Sequence, residues 1–248
     1  SWCYAEVRRE GRTQGLDYAS VIKQGEKDYV SDYLKISKSE YCSCFAIADG
    51  REMPRAAELA VNSVISDFEA TGIITKSSVP DFFKNAGEIL KNDEMPLCTC
   101  MTFLLTDGSA AVWGSIGDCR LYLLRDKYLY EITPDHSEAY ALYEAGEIRY
   151  PKIRQNNKRY SLTRMLGTGF DTNPESPNPE KIRPGDSFLL CSDGFWENIH
   201  EGQIEKTLKR SSSAQDWLDR MMKIVDKNIQ HKKYSRFRDS LCAVTIKI

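Results

Sequence analysis

Aspartates stand at the ends of apolar, strand-like runs at three places in the sequence. Asp49 closes FAIADG, Asp193 follows the apolar part of LLCSDG, and Asp239 precedes the run LCAVTIKI. Taken singly, each is most simply interpreted as a turn or cap residue, because aspartate is common in both. Taken together, they allow a second interpretation, in which strand ends converge and bring carboxylates to one place. Asp32 in VSDYLKI and Asp118 in SIGDCR are further candidates of the same kind.

Converging aspartates need positive charge between them. Two carboxylates about 4 Å apart repel by roughly 4 kcal/mol even at an effective dielectric constant of 20. Oxygen ligands without nearby cysteine or histidine suit Mg²⁺ or Mn²⁺ rather than zinc or copper. Two such ions, about 3.5–4 Å apart, can clamp a phosphoryl oxygen and activate a water at neutral pH. The residues alone therefore lead to the hypothesis of a two-metal hydrolase, with scattered turn aspartates as the alternative.

The elements around the first aspartate can be recognised from hydrophobic periodicity. YCSCFAIADG predicts a buried strand that stops at Asp49-Gly50. The next stretch has apolar residues at helical spacing, with Pro54 suited to the first turn and Gly72 to the stop. VPDFFKNAGEILKN predicts a second helix. A strand-rich block over 98–132 then predicts an antiparallel meander, with turns at Asp107-Gly108, Gly117-Asp118 and Asp126-Lys127.

The second half of the chain repeats the grouping of strands and helices. SEAYALYEAGEI predicts a short helix closing at Gly146, and the segment from about Tyr150 to Pro184 is irregular. DSFLLCSDG returns to a strand, two helices follow, and LCAVTIKI closes the chain. Strands grouped together, with helix pairs after them, favour sheets sandwiched by helices over a parallel βαβ repeat. Because no linker divides the chain, a single domain over 1–248 is expected.

Composition and charge exclude several classes of protein. Of the 248 residues, 41% are hydrophobic and 28% are charged, as in an ordinary globular protein. The formal net charge of −2 offers no basic surface for nucleic acid or for a membrane. The apolar runs are too short to span a bilayer, and no signal-peptide pattern opens the sequence. We therefore expect a cytoplasmic protein that binds neither nucleic acid nor a membrane.

Eight cysteines raise the alternatives of disulfides and zinc. Two Cys-x-Cys pairs, Cys42/Cys44 and Cys98/Cys100, lie within strand-like runs. Residues i and i+2 of a strand point to one face, so small buried thiols are the simpler interpretation. A chain of this length does not need disulfides to fold. Reduced core thiols are therefore favoured over a zinc site.

Several longer motifs occur in an order that is similar to one known family. They resemble the metal-dependent Ser/Thr protein phosphatases of type 2C (the PPM family) in their compact bacterial form. The resemblance runs from about residue 20 to the C-terminus. The motifs are FAIADG, GSIGDCRLYLLRDKYLYEITPDHS, LYEAGEI, SLTRMLGT, IRPGDSFLLCSDGFWENIHEGQI and RDSLCAVTIKI.

The resemblance implies a fold, an activity and partners. The fold would be α+β, a four-layer α-β-β-α sandwich of two antiparallel sheets flanked by helix pairs. The activity would be hydrolysis of phosphoserine and phosphothreonine in proteins by a water activated by two Mn²⁺ or Mg²⁺ ions, with a third ion in some members. The partners would be phosphorylated proteins and a cognate Ser/Thr kinase.

The resemblance also implies metal ligands by motif. Asp49 would bridge the two ions, and the carbonyl of Gly50 would join it. Asp193 and Asp239 would complete the shell of the second ion, while Asp32 would support the metal waters. These aspartates form the implied catalytic set.

Three more positions follow from the same motifs. Asp118 and Glu197 match the third-metal position, although glutamate replaces the more usual aspartate at 197. Lys27 falls near the place of an arginine that binds the substrate phosphate, but its spacing from Gly25 is one residue short. A general-acid role for His136 is less favoured than capping or packing, because the motif places it at the start of a helix.

The chain departs from the family after Gly50. Arg51-Glu52-Met53-Pro54 replaces the usual Met-Gly-Gly-His, and Ser240 replaces an asparagine. Arg51 adds a cation that could bind the substrate phosphate or pair with Glu52. No implied metal ligand is lost, so an active enzyme is favoured.

Two alternatives stay open beside the phosphoprotein phosphatase. The altered loop is compatible with a catalytically weak or inactive phosphatase-fold module that regulates or binds a partner. A metallohydrolase acting on a small phosphate ester is the other. Three arginines of the irregular segment either contact a phosphopeptide or belong to a solvated loop: Arg154, Arg159 and Arg164.

Overall fold

The structure is a computed structural model with strands and helices along most of the chain. It describes residues 6–13, 15–51, 53–72, 74–75, 77–231, 233 and 237–248. The strands are β1 (Glu6–Thr13), β2 (Leu16–Lys23), β3 (Asp32–Lys38), β4 (Ser43–Asp49), β5 (Cys98–Thr106), β6 (Ala110–Ile116), β7 (Arg120–Arg125), β8 (Tyr128–Ile132), β9 (Leu166–Gly167), β10 (Glu180–Lys181), β11 (Ser187–Cys191) and β12 (Leu241–Lys247).

The helices fall between the strands in pairs and singly. They are α1 (Pro54–Thr71), α2 (Ser78–Lys91), α3 (Glu138–Glu144), α4 (Asp193–Trp196), α5 (Glu201–Arg210) and α6 (Ala214–Gln230). Two 3₁₀ turns, Tyr150–Gln155 and Asn157–Tyr160, interrupt the irregular segment.

The strands form two antiparallel sheets. The first has the order β1-β2-β12-β11-β7-β8. The second has the order β10-β6-β5-β4-β3, and β9 pairs with β5 beside it. Every pairing between these strands is antiparallel.

Alternating side chains of single strands belong to two different cores, which explains the layering. On β4, Ala46 and Ala48 pack in the cluster that contains apolar residues of α1 and α2. Phe45 and Ile47 point the other way, into the cluster between the two sheets. A third cluster joins the first sheet to α5 and α6. These contacts confirm the prediction of an α+β, four-layer α-β-β-α sandwich, because helix pairs cover the outer faces of both sheets.

The predicted limits of the first helix are confirmed. Pro54 occupies the first turn of α1, where its missing N–H costs no hydrogen bond. Gly72 ends the helix with φ of 61°, and its N–H donates to the carbonyl of Phe68 at 3.0 Å. A left-handed residue at this position favours glycine. Sequence pattern and structure agree here because both the start and the stop are local signals.

The predicted meander over 98–132 is wrong at its centre. β5 pairs with β6, and β7 pairs with β8, but β6 and β7 belong to different sheets. The chain crosses from one sheet to the other at Gly117 and Asp118, where Gly117 has φ of 86°. Hydrophobic alternation indicates a strand but not the sheet that it joins, so the crossing was not visible in the sequence. It leaves Asp118 at the junction of the sheets.

The cysteines that the structure describes are free thiols, and nearly all are buried. Cys42 and Cys44 pack into the same cluster, as expected for residues two apart on a strand. Cys3 lies outside the described residues. Among the described helices, none combines the length and the apolar character needed to cross a bilayer.

Candidate metal centre

The acidic strand ends meet at one edge of the sandwich. Asp32 begins β3, Asp49 ends β4, and the two residues are direct cross-strand partners. Asp193 follows β11 as the first residue of α4, and Asp239 lies just before β12. Asp118 comes from the crossing between β6 and β7. Both sheets thus contribute carboxylates. The aspartates at the strand ends converge, as the sequence predicted.

Four of these aspartates line one cavity of about 150 Å³. Its basic and aromatic rim comes from three further side chains. The full lining is Lys27, Asp49, Arg51, Asp118, Tyr160, Asp193 and Asp239. A wider groove of about 330 Å³ between α5 and α6 gathers lysine and arginine stems instead, with no carboxylate in its lining. The acidic cavity is therefore the place where metal chemistry could occur.

Burial and mutual repulsion disfavour the charged forms of these carboxyls. Burial raises the pKa of Asp118 to about 7 and of Asp239 to about 7, with Asp193 adding to both shifts. The pKa of Asp32 rises to about 6, again chiefly through burial. Burial, followed by the charge of Asp32, raises the pKa of Asp49 well above its ordinary range. Such a cluster is stabilised by cations.

The residues present fit divalent ions of the Mg²⁺ or Mn²⁺ type. The Oδ1 atom of Asp193 is buried without a hydrogen-bond partner among the described residues, so a carboxylate oxygen is left for another ligand. Within the described chain, no three histidine, cysteine or acidic side chains are grouped closely enough to enclose one ion by themselves. Mg²⁺ typically takes only one or two carboxylates and keeps several waters. The donor set therefore agrees with the metals implied by the sequence motifs.

Two serines donate hydrogen bonds to Asp32, a role that the sequence did not predict for them. The hydroxyl of Ser192 donates to Oδ2 of Asp32, and that of Ser240 donates to Oδ1 at 2.9 Å. The hydroxyl of Ser192 also accepts from the N–H of Cys242 at 3.0 Å. Each serine directly adjoins a proposed ligand, Asp193 or Asp239, and that adjacency was the available signal. Asp32 is therefore positioned by the loops that carry those two aspartates.

Close backbone contact explains the glycines that follow two of the aspartates. A Cβ atom on Gly194 would lie 2.2 Å from the carbonyl oxygen of Ser240. A Cβ atom on Gly50 would lie 2.2 Å from the carbonyl oxygen of Met53. No side chain fits at either position without moving the backbone. Gly194 thereby allows the segments of Asp193 and Asp239 to approach each other.

The altered loop keeps Asp49 in place. Arg51 adopts φ of 56°, and its N–H donates to Oδ1 of Asp49 at 2.7 Å. Its guanidinium Nη2 donates to the carbonyl of Tyr160 at 3.1 Å. Lys27 Nζ donates to the carbonyl of Arg51 at 3.4 Å. Both cations sit at the cavity, whereas Glu52, the other expected partner of Arg51, lies outside the described residues.

Glu197 is already paired with a cation from the irregular segment. Nη2 of Arg159 donates to Oε2 of Glu197, and Nη1 lies 3.9 Å from Oδ2 of Asp193. Burial alone lowers the pKa of the guanidinium, but the carboxylates more than offset it, so the pKa is raised and Arg159 is charged. Burial raises the pKa of Glu197, and the charge of Arg159 opposes that shift.

Two of the three arginines named from the irregular segment do not reach into solvent as expected. Arg154 is 5% exposed and Arg159 is 3% exposed. Nε of Arg154 donates to the carbonyl of Trp196 at 2.9 Å, and Nη2 donates to that of Ile199 at 2.8 Å. Of the three, Arg164 alone stays partly exposed, paired with Glu175 at 3.0 Å. Neither a solvated loop nor a free phosphopeptide contact describes the first two.

Trp196 connects this segment to Asp118. Its Nε1–H donates to the carbonyl of Asp118 at 2.8 Å. The guanidinium carbon of Arg120 lies 3.6 Å from the centre of the ring, and that of Arg159 lies 5.4 Å away. Arg120 is itself paired with buried Asp135. A fixed indole thus sets the position of the crossing that carries Asp118.

His136 is not part of the lining of the acidic cavity and joins two loops. Its Nδ1 accepts from the N–H of Gly117 at 3.0 Å, so the proton of the neutral ring is on Nε2, which lies 3.3 Å from Oε1 of Glu175. The cap of α3 is Ser137, whose hydroxyl accepts from the N–H of Tyr140. Packing, rather than capping, is therefore the structural role of His136.

Comparison with known proteins finds similarity to bacterial phosphatases. No protein-family model matches the sequence. The chain is 27% identical over 188 residues to the serine/threonine phosphatase Stp of Listeria monocytogenes, covering 70% of this chain and 74% of that protein. It is 25% identical over 195 residues to the protein phosphatase PhpP of Streptococcus pneumoniae, covering 73% and 78%.

Solved structures share the fold over nearly the whole chain. The Ser/Thr phosphatase Stp1 of Staphylococcus aureus has a TM-score of 0.82 at 20% identity, covering 94% of this chain and 95% of that one. The catalytic domain of PstP, solved with two manganese ions, has a TM-score of 0.72 at 21% identity, covering 94% and 97%. Together, these similarities confirm the resemblance that the sequence motifs indicated.

Proposed function

We propose that this chain, a type 2C Ser/Thr phosphatase by its sequence similarity and its fold, hydrolyses phosphoserine and phosphothreonine in proteins with two Mn²⁺ or Mg²⁺ ions. The observation that carries the proposal is the convergence of Asp49, Asp193 and Asp239 around a small cavity, where Asp193 Oδ1 has no hydrogen-bond partner among the described residues. Those three side chains and the carbonyl of Gly50 would hold the ions.

The bound ions and the side chains of the protein would have different roles in the reaction. When bound, the ions would supply the positive charge that polarises the phosphoryl group and lowers the pKa of the attacking water. Lys27 and Arg51 stand at the rim, where their charges would bind and orient the substrate phosphate. Asp32, fixed by Ser192 and Ser240 beside Asp49 rather than in the cavity lining, would accept hydrogen bonds from water molecules bound to the ions and order them. The narrow cavity would limit the number of other waters near the phosphorus.

The geometry of the altered loop supports an active enzyme over an inactive binding module. Arg51 could have placed its guanidinium among the aspartates, where it would compete with the ions. Instead its side chain contacts Tyr160, and its N–H orients Asp49. The departure from the family pattern therefore leaves the carboxylates available.

The proposed activity implies substrates, a partner kinase and a cellular compartment. Its substrates would be phosphorylated proteins, and a cognate Ser/Thr kinase would produce them. The described cysteines are free thiols, which a reducing compartment such as the cytoplasm maintains. Residues 1–248 would form a single domain, because β2 and β12, strands from the two ends of the sequence, pair with each other in the first sheet.

Hydrolysis assays separate this proposal from its alternatives. We expect Mn²⁺-dependent release of phosphate from a phosphothreonine peptide, and a loss of more than about 100-fold in kcat for Asp239→Asn. Asp81→Asn, an exposed aspartate on α2, is the matched control and should keep full activity. Turnover of an aryl phosphate without turnover of the peptide would favour a small-ester hydrolase. Bound metal without any turnover would contradict the proposal and favour the binding module.

A further inference from the structure

We propose that the guanidinium of Arg159 takes the place of a third divalent ion, so that this chain binds two ions and supplies the remaining positive charge itself. The inference rests on the two-ion centre proposed above. It replaces the expectation that Asp118 and Glu197 hold a third ion. Arg159 would then be a positioning residue, acting on the carboxylates rather than on the substrate.

Arg159 and Glu197 form a buried ion pair. Both residues are 3% exposed, so water does not screen their charges. One guanidinium nitrogen donates to Oε2 of Glu197, and Oε1 of Glu197 lies 3.4 Å from Nδ2 of Asn198. Both carboxylate oxygens of Glu197 are therefore engaged with donors of the chain. An ion at Glu197 would have to displace a buried charged partner, which leaves an unpaired charge behind.

The other guanidinium nitrogen lies beside Asp193. Nη1 of Arg159 is buried without a hydrogen-bond partner among the described residues and lies 3.9 Å from Oδ2 of Asp193. Oδ1 of Asp193 is likewise buried and without a partner. The positive charge therefore reaches the edge of the proposed metal centre, where it stabilises one oxygen of Asp193 and leaves the other for an ion.

The guanidinium is also held in place. Its carbon lies 4.1 Å from the centre of the Tyr160 ring and 5.4 Å from that of Trp196. The segment that carries it is fixed by Arg154, which donates to the carbonyls of Trp196 and Ile199. A side chain that contacts two rings on an anchored segment is held beside Glu197, whereas a weakly bound ion exchanges with solvent.

The charge balance agrees with two ions. Once Arg159 neutralises Glu197, the carboxylates lining the cavity are Asp49, Asp118, Asp193 and Asp239. Two divalent ions match these four carboxylates, and the cationic side chains of Lys27 and Arg51 in the same lining leave no negative charge over for a third ion. A third ion would give the buried centre an excess of positive charge, and it would lie close to a guanidinium that repels it.

Counting bound ions tests the inference independently of catalysis. We would titrate Mn²⁺ into the full chain by isothermal calorimetry and count free Mn²⁺ by electron paramagnetic resonance. The wild type should bind two ions. Arg159→Ala, which frees Glu197, should bind a third ion at least tenfold more weakly than the first two. Arg164→Ala removes an arginine of the same segment that contacts Glu175 rather than Glu197, and should bind two.

Glu197→Gln keeps the test decisive if Arg159→Ala does not fold. With Arg159 in place of the third ion, Glu197 is not a metal ligand, so this variant should still bind two ions. Three ions in the wild type, or one ion lost in Glu197→Gln, would overturn the inference. A folded Arg159→Ala protein that binds only two ions would do the same. A wild type that binds no ion would instead contradict the two-ion centre.

Discussion

Asp32 and Asp49 are direct cross-strand partners, at the first residue of β3 and the last residue of β4. Like charges at opposed positions of antiparallel strands destabilise a sheet. Both side chains are buried, at 5% and 4% exposure, so the repulsion is poorly screened. The pair therefore lowers the stability of the metal-free protein, and bound cations relieve the repulsion. A substitution that removes one of the two charges can raise stability while it abolishes activity.

Asp49→Asn is expected to make the metal-free protein more stable and to abolish activity. Asparagine keeps the Oδ1 atom that accepts from the N–H of Arg51, but removes a charge facing Asp32. We expect a gain of about 2 kcal/mol in the free energy of unfolding, or roughly 4–8 °C in melting temperature. Thermal unfolding with EDTA and with Mn²⁺ measures it. A lower melting temperature in EDTA would show that repulsion is not the dominant effect.

Gly194→Ala is expected to disrupt the centre by pushing two backbone segments apart. The new Cβ would lie 2.2 Å from the carbonyl oxygen of Ser240, next to Asp239. Overpacking of this kind costs about 1–3 kcal/mol, and we expect loss of Mn²⁺-dependent activity with it. Gly202→Ala is the matched control, because its Cβ meets nothing closer than 3.7 Å and lies within α5. That variant should be stabilised by about 0.5–1 kcal/mol, and equal behaviour of the two proteins would refute the steric explanation.

Ser192→Ala tests the support of Asp32. The substitution removes the donor to Oδ2 of Asp32 and the acceptor of the Cys242 N–H. Loss of buried hydrogen-bond partners costs about 1–3 kcal/mol. Misorientation of Asp32 should lower kcat by about 10–100-fold, as for other residues that orient a metal centre. Chemical denaturation and peptide hydrolysis measure the two effects.

Ser63→Ala, at a buried serine of α1, is the control and should change neither stability nor kcat. An unaffected kcat in Ser192→Ala would exclude the role given to Asp32.

His136 is expected to make stability depend on pH. Burial, and then the charge of Arg164, lower its pKa, with Glu175 opposing. The unfolded chain therefore takes up the proton first as the pH falls. The stability that the neutral ring provides is complete above about pH 6.5 and is lost progressively below it.

The comparison of His136→Gln with wild type isolates this residue. The free energy of unfolding should fall more steeply between pH 7.5 and pH 5.0 in the wild type than in the variant, because other titrating groups contribute to both proteins. His231→Gln, at an exposed histidine beyond α6, should follow the wild type. Parallel curves for wild type and His136→Gln would contradict the prediction.

Local signals in the sequence were enough for most of the fold. Strand ends such as FAIADG, the limits of α1 at Pro54 and Gly72, and the grouping of helices depend on nearest neighbours along the chain. The crossing at Gly117 and Asp118 was missed because an apolar strand is compatible with either sheet. Pattern alone cannot assign it, since both faces of β6 and β7 are largely buried.

The candidate site was predictable only in part, for a related reason. Each aspartate can be recognised in the sequence on its own, because it lies beside an apolar run and, in most cases, beside a glycine or a serine. The pairing of Arg159 with Glu197 spans 38 positions and depends on how the irregular segment folds back. No periodicity encodes that return path, so the arginine was expected at the surface. Its burial emerges only from the packing of Trp196 and Tyr160 around it.

The hydrogen bond from Ser240 to Asp32 joins residues 208 positions apart. Contacts of such sequence separation form late, because long loops must close before they contribute stability. The carboxylate cluster therefore cannot assemble before Asp239 and β12 have been synthesised and have joined the first sheet. Metal capture would then act as a checkpoint on folding: only a chain folded through β12 acquires ions, and the bound ions in turn stabilise the folded state. Proteolytic resistance gained on adding Mn²⁺ would report this coupling directly.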